Sequence, residues 1–381
     1  MRIREFGVET WMNRWETRCR YNLAETCVES LTVDQLLGLA GTDGPEFFAE
    51  LRGTKLTYGA IEGSDRLRDA IAALYRGVRR EDVLVAHGAI GANHLVYEAL
   101  VEPGDRVISI VPTYQQHTSI PESLGAEVVA LPLREADGWR PDLADLRREA
   151  AAGVKLISLA NPNNPTGALL AEADLRVIAE IAEAAGAWIL CDEVYRGIDQ
   201  AGDGTTASIV ELSPRGISVG SMSKAFSLAG LRLGWIAAPP EVIRAVTVHR
   251  DYNTISVGMV DDLLAAIALE HADAVLERSR TIVRGNLALL DAWVAEEPEI
   301  SYVRPSGGTT ALLRYGFDQP SEALCIRLLE ERGVMFTPGS ALDMEGYLRI
   351  GYANNPQILV DGLAATSEFF AALGRRGPVP G

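Results

Sequence analysis

From about residue 64 the chain alternates between amphipathic stretches and short, unbroken apolar runs. Ser64 can cap a helix carrying Leu67, Ile71 and Leu74 on one face, and Asp82–Ala86 follows as a short buried strand. Ala92–Leu100 reads as the next helix, Arg106–Val111 as a strand, Gln116–Leu124 as a helix and Ala126–Leu131 as a strand. Val154–Ala160, the helix Ala171–Ala185 closed by Gly186, and the strand Ala187–Cys191 continue the series. Strands without polar alternation, separated by helices, predict a mainly parallel sheet covered on both faces.

After Gly230 the pattern predicts one more strand, Leu231–Ala238, and then changes. Long helices follow, Ala272–Glu296 the longest, a fitting link between two domains. Short strands at Ile300–Val303, Thr310–Tyr315, Val334–Thr337 and Tyr347–Tyr352 alternate with helices at Ser321–Glu331 and Pro356–Leu373, an α+β arrangement. Arg375–Gly381 carries Gly and Pro without an apolar pattern and reads as a frayed tail.

The 381 residues include 35 basic and 52 acidic side chains, a formal charge of −17. An acidic excess spread along the chain argues against nucleic acid as a partner, because phosphate backbones demand a basic footprint. No apolar run reaches the roughly 18–20 residues that cross a bilayer, and the start Met1-Arg2-Ile3-Arg4-Glu5 leads into no apolar signal core. A cytoplasmic protein, off the membrane, is the expectation. Cys19, Cys27, Cys191 and Cys325 have no CxxC spacing and His87 and His94 make no HExxH, so no metal site is expected. Lysine occurs only as Lys55, Lys155 and Lys224, which leaves few candidates for amine chemistry.

In open parallel sheets, ligands sit beyond the carboxyl ends of the strands. After the first strand, His87-Gly88-Ala89-Ile90 turns into a helix whose first amides can hold a phosphate. Neither GxGxxG nor GxxxxGK[ST] is present, which argues against a dinucleotide or a nucleoside triphosphate. Tyr114 brings an aromatic ring to the crevice, Asn161–Gly167 an amide-rich turn, Asp192-Glu193-Val194-Tyr195 a carboxylate. Ser221-Met222-Ser223-Lys224 adds an amine flanked by hydroxyls, with Arg232 eight residues on. Each alone has an ordinary structural explanation. Together they make the inventory that pyridoxal phosphate (PLP) requires: a lysine for the Schiff base, a carboxylate to keep the pyridine nitrogen protonated, and donors for the phosphate.

The strings NPNNPTG, DEVYRG, SMSKAFSLAGLRLGW and YLRIGY, in that order between about Tyr58 and Tyr352, closely resemble fold-type I PLP-dependent enzymes of the class I/II aminotransferase family. The resemblance implies the α/β fold of aspartate aminotransferase, with pyridoxal 5'-phosphate as cofactor and an α-amino acid as substrate. By it, Lys224 is the Schiff-base lysine and the acid–base at the substrate Cα, and Asp192 pairs with the pyridine nitrogen. Asn164 and Tyr195 hydrogen-bond the ring hydroxyl, and Tyr114 stacks on the ring. Arg232, Ser221, Ser223 and the amides of Ala89 and Ile90 hold the phosphate. Tyr58 resembles the tyrosine that reaches the neighbouring subunit's phosphate, which implies a homodimer. Arg349 resembles the arginine that clamps the substrate α-carboxylate, with Asn164 also on the substrate side.

Two departures from the family pattern stand out. Ala89 and Ile90 replace the hydroxyl that usually follows the phosphate-loop Gly, so backbone amides must suffice. Tyr21–Cys27 replaces a Gly-x-Pro turn and brings Glu25 to the substrate pocket. With Arg250–Ser256 and the His87-Gly88 pair, this segment resembles the aminotransferase-like enzymes that act on arginine derivatives, capreomycidine synthase and PLP arginine oxidases among them. Transamination is the leading expectation. The alternative is a lyase, cyclase or O2-dependent oxidase acting on arginine or a hydroxyarginine-like cationic amino acid, with His117 as an extra acid–base. The expected division is an N-terminal segment 1–45 over the substrate site, a PLP-binding domain 46–260, a linking helix 261–290 and a small α+β domain 291–381.

Overall fold

The computed structural model describes residues 2–376. Seven strands build the central sheet: β1 (Val83–Ala86), β2 (Arg106–Val111), β3 (Glu127–Pro132), β4 (Leu156–Ala160), β5 (Trp188–Asp192), β6 (Gly216–Ser221) and β7 (Gly234–Ala237). Their order is β1-β7-β6-β5-β4-β2-β3, with β7 antiparallel to both neighbours and the other pairs parallel. Alternate side chains feed two cores. Ile108, Ile157 and Ile189 pack into one, and Val107, Leu156 and Leu190 into the other. Both faces being covered is why the strands lack polar alternation. Between β2 and β4 the chain reverses its direction of travel across the sheet, so the loops after these strands diverge and open a crevice.

Strand β6 breaks the apolar rule and was not predicted. Its Ser218 hydroxyl is buried but satisfied, 2.7 Å from Glu193 and 3.1 Å from the Tyr75 hydroxyl. Leu231–Ala238 is corrected to a shorter strand: Ala229–Leu231 makes a 3-10 turn, Arg232 adopts a left-handed φ of 50°, and β7 starts at Gly234. The helix capped by Ser64 ends at Ala72, which leaves Leu74 beyond it.

A second, antiparallel sheet consists of β8 (Ile300–Tyr302), β9 (Thr310–Tyr315), β10 (Thr337–Pro338) and β11 (Tyr347–Gly351), in the order β10-β11-β9-β8. The expected single strand Val334–Thr337 is split. Val334–Met335 pairs in parallel with Tyr21–Asn22, and only Thr337 continues into β10. The helix Ala272–Glu296 has the predicted bounds. The last helix, Pro356–Arg376, takes in Arg375 and Arg376 of the expected tail, and residues 377–381 lie outside the described ones. Among the described residues no helix is long and apolar enough to cross a membrane.

Candidate active site

The loops beyond β2, β4, β5 and β6 enclose a cavity of about 300 Å³. Of the residues expected at the site, Glu25, Ala89, Ile90, Tyr114, Asn164, Asp192, Tyr195, Ser221, Ser223, Lys224, Arg232 and Arg349 line it. Tyr58 does not, and its side chain is 73% exposed on the surface.

One end of the cavity is a cradle for an anion. The helix Gly88–Leu100 starts directly after β1, with Gly88 at φ 66°. β7 passes so close beneath that a Cβ on Gly234 would lie 2.5 Å from the Gly88 carbonyl carbon and 2.6 Å from the Ala89 nitrogen. The left-handed turn at Arg232 brings its Nη1 to 3.5 Å from Ser223 Oγ, and Ser221 closes β6 alongside. Helix-start amides, two hydroxyls and a guanidinium therefore converge.

Asp192, the last residue of β5, supplies a buried carboxylate. Asn93 Nδ2 donates to its Oδ2 at 2.8 Å and the Val194 amide to its Oδ1 at 3.2 Å, as a buried carboxylate requires. His117 does not line the cavity, which corrects the expectation of an acid–base facing the substrate. It is fully buried behind Asp192, its Nε2 3.8 Å from Oδ2 and its Nδ1 held by the hydroxyls of Tyr97 at 2.9 Å and Ser158 at 2.8 Å.

In the same cavity, Lys224 Nζ donates to Thr26 Oγ1 at 2.7 Å and lies 3.5 Å from Cys27 Sγ. Burial disfavours the ammonium, but Cys27, Tyr195 and Glu25 outweigh it against Arg349 and hold the amine above the ordinary lysine range. Burial likewise opposes ionisation of Glu25, yet Lys224 and the Cys27 and Thr26 hydrogen bonds keep its carboxyl below the usual range. Burial pushes the Cys27 thiol up to about 11. Arg349 on β11 is 2% exposed; its Nη1 reaches Asn164 Oδ1 at 3.4 Å, and its Nη2 reaches Ala24 O at 3.1 Å and Thr337 Oγ1 at 3.0 Å. The Arg349 Nε and the Tyr195 hydroxyl are buried without a partner among the described residues.

A helix near the N-terminus, Gly7–Trp15, covers the cavity with Val8, Glu9 and Met12, and Glu16 follows at its end. Tyr114 OH donates to Glu9 Oε1 at 2.6 Å, and the Gln115 side chain accepts from Gly7 N at 2.9 Å and donates to Glu5 O at 2.8 Å. Sequence reasoning missed Glu9, Met12, Glu16, Thr26 and Asn93. The first three had a signal, since i, i+3, i+7 spacing puts them on one face. Asn93 had one too, as a polar residue one turn beyond Ala89 on an apolar helix.

A mainly parallel sheet with a lysine, a carboxylate and an anion cradle beyond the carboxyl ends of its parallel strands defines a PLP-dependent enzyme of the aspartate aminotransferase fold. The chain belongs to the family Aminotransferase class I and II, whose profile matches residues 33–365. It is 31% identical to capreomycidine synthase of Streptomyces vinaceus over 374 residues, 97% of this chain and 95% of that protein. Among solved structures it is similar to a PLP-dependent aminotransferase from Streptococcus suis, with 43% identity, a TM-score of 0.94 and full coverage of both chains. The PLP-dependent cyclase OrfR is also similar, at 27% identity, TM-score 0.90 and 98% coverage of each chain.

Proposed function

We propose that this enzyme transaminates an α-amino acid in the cavity between Lys224 and Asp192. The observation that carries the reading is the convergence of Lys224, Asp192, the helix start at Ala89 and Ile90, and Arg349 on one cavity. Two features support the fit of PLP. The Tyr195 hydroxyl is buried without a partner among the described residues, as a donor awaiting an acceptor would be, and the bare Gly234 lets the helix start at Gly88 and Ala89 lie directly on β7. Ala89 and Ile90 amides, Ser221, Ser223 and Arg232 would hold the phosphate, Asp192 the ring nitrogen, Asn164 and Tyr195 the ring hydroxyl, and Tyr114 the ring face. When bound, the cofactor supplies an electron sink for the substrate carbanion.

The remaining chemistry belongs to the chain. Lys224 Nζ carries the proton to and from the substrate Cα, while Arg349 orients the α-carboxylate through the N–H groups its protein partners leave over. Glu9 and Met12, on the covering helix, limit water on the substrate side. Tyr58 fits the role of completing a second copy's phosphate site, so the active assembly is a homodimer. A second reading, elimination, cyclisation or oxidation of a cationic amino acid, is favoured by one observation: Glu9, Glu16 and Glu25 all line the cavity.

The test is near-ultraviolet and visible absorbance of the protein reconstituted with PLP, before and after amino acids are added. A band that Lys224→Ala lacks is expected. Conversion to the amine form of the cofactor, reversed by a 2-oxo acid, supports transamination. Product release from arginine-like substrates without any 2-oxo acid supports the second reading, and no band in the wild type overturns both.

A further inference from the structure

Thr26 stands out among the residues that touch Lys224. It comes from a turn almost 200 residues away in sequence, yet its Oγ1 takes the shortest contact of the amine, 2.7 Å. The turn is fixed from several directions. Glu25 Oε1 folds back to accept from Thr26 N at 2.8 Å and Cys27 N at 2.9 Å. Thr309 Oγ1 donates to Thr26 O at 2.6 Å, and Arg349 Nη2 to Ala24 O at 3.1 Å. Gly351 on β11 presses so close that a Cβ there would meet Glu25 O at 1.8 Å. Thr26 itself is 6% exposed. A hydroxyl immobilised this thoroughly pays little entropy to accept from an amine, and it favours the ammonium, which has more N–H to give.

We propose that Thr26 is a positioning residue for Lys224: its hydroxyl is the seat on which the free ε-amine rests whenever that amine is not bonded to cofactor. This rests on the reading of Lys224 as the cofactor-binding amine. Cys27 Sγ flanks the seat, and Glu25 holds its backbone. The seat ties the amine to the turn that also carries the Arg349 contact, so the acid–base and the carboxylate clamp share one rigid support.

The scarcity of lysine makes the seat measurable. Trace acylation of the full chain stripped of cofactor, read by peptide mass spectrometry, reports Lys224 with Lys55 and Lys155 as internal references. Only the neutral amine reacts. Thr26→Val removes the acceptor, and the relative acylation rate of Lys224 is expected to rise about tenfold, the scale of a hydrogen bond to a charged group. Thr26→Ser keeps the hydroxyl and is expected to stay at the wild-type rate, which a merely structural role of Thr26 would not predict. Circular dichroism checks the fold; if the valine variant does not fold, Thr26→Ala removes the same hydroxyl with less bulk and takes its place. A wild-type rate in the folded hydroxyl-free variant, or a serine variant as fast as that one, overturns the proposal. Failure of the cofactor reading would show separately, as a wild-type protein that gains no PLP absorbance beyond that of Lys224→Ala.

Discussion

Replacing Gly234 by alanine tests whether the approach of β7 to the helix Gly88–Leu100 is what shapes the phosphate site. The added methyl would lie 2.5 Å from Gly88 C, 2.6 Å from Ala89 N and 2.8 Å from Gly220 O, all backbone atoms that no side-chain rotation can clear. Carbon contacts become comfortable from about 3.5 Å, so strand and helix start must separate by about 1 Å. Overpacking of this kind costs about 1–3 kcal/mol of stability. The displaced amides are those proposed to hold the cofactor phosphate, and losing two charge-assisted bonds at about 1.5 kcal/mol each would weaken cofactor binding by about 10²-fold. Titration of cofactor-free protein with PLP, followed by absorbance, gives the Kd, and denaturant unfolding gives the stability. A stability loss with unchanged Kd would refute the reasoning, because the cradle would then tolerate displacement.

Further outcomes are expected elsewhere in the molecule. Arg349→Lys keeps the charge but not the planar fork; kcat/KM is expected to fall about 10–100-fold, mainly through KM, while cofactor absorbance stays unchanged. Equal loss for a substrate lacking the α-carboxylate would count against the clamp. Asp199 is buried with its Oδ1 unpartnered among the described residues, and burial, with Asp203 adding to it and Arg196, Arg284 and Arg280 opposing, pushes its carboxyl up to about 7. The native state thus holds a proton that the unfolded chain has lost, so this contribution is full below the ordinary carboxylate range and disappears as pH rises through about 7. At about 1.4 kcal/mol per pH unit, Asp199→Asn should remove a few kcal/mol of that decline, read as urea midpoints at acid and neutral pH; a decline equal to wild type rejects it. Gln115→Ala strands the Gly7 amide and the Glu5 carbonyl, at about 1–3 kcal/mol, and should speed proteolysis within residues 5–16 about tenfold or more; unchanged cleavage would mean that Trp11 Nε1, 2.8 Å from Phe336 O, suffices as anchor.

The sequence alone determined the alternation of buried strands and amphipathic helices, because burial on both faces forces unbroken apolar runs in strands such as Val83–Ala86. It also determined the chemical inventory, since of the three lysines only Lys224 follows Ser221-Met222-Ser223 and has an arginine eight residues on, and the motifs fix their order. The unseen strand, Gly216–Ser221, shows the limit: its Ser218 is tolerated because Glu193 and Tyr75 bond the hydroxyl, and its Gly220 because Trp235 occupies the space a side chain there would need. Likewise a left-handed Arg232 and the division of Val334–Thr337 between two sheets answer to distant partners. Local pattern reports which face of an element avoids water. Which residues meet across the cavity depends on how elements far apart in the chain pack. Only the tertiary structure decided that Thr26 would meet Lys224, that Glu9 would cover Tyr114, and that His117 would stand behind Asp192, away from the cavity.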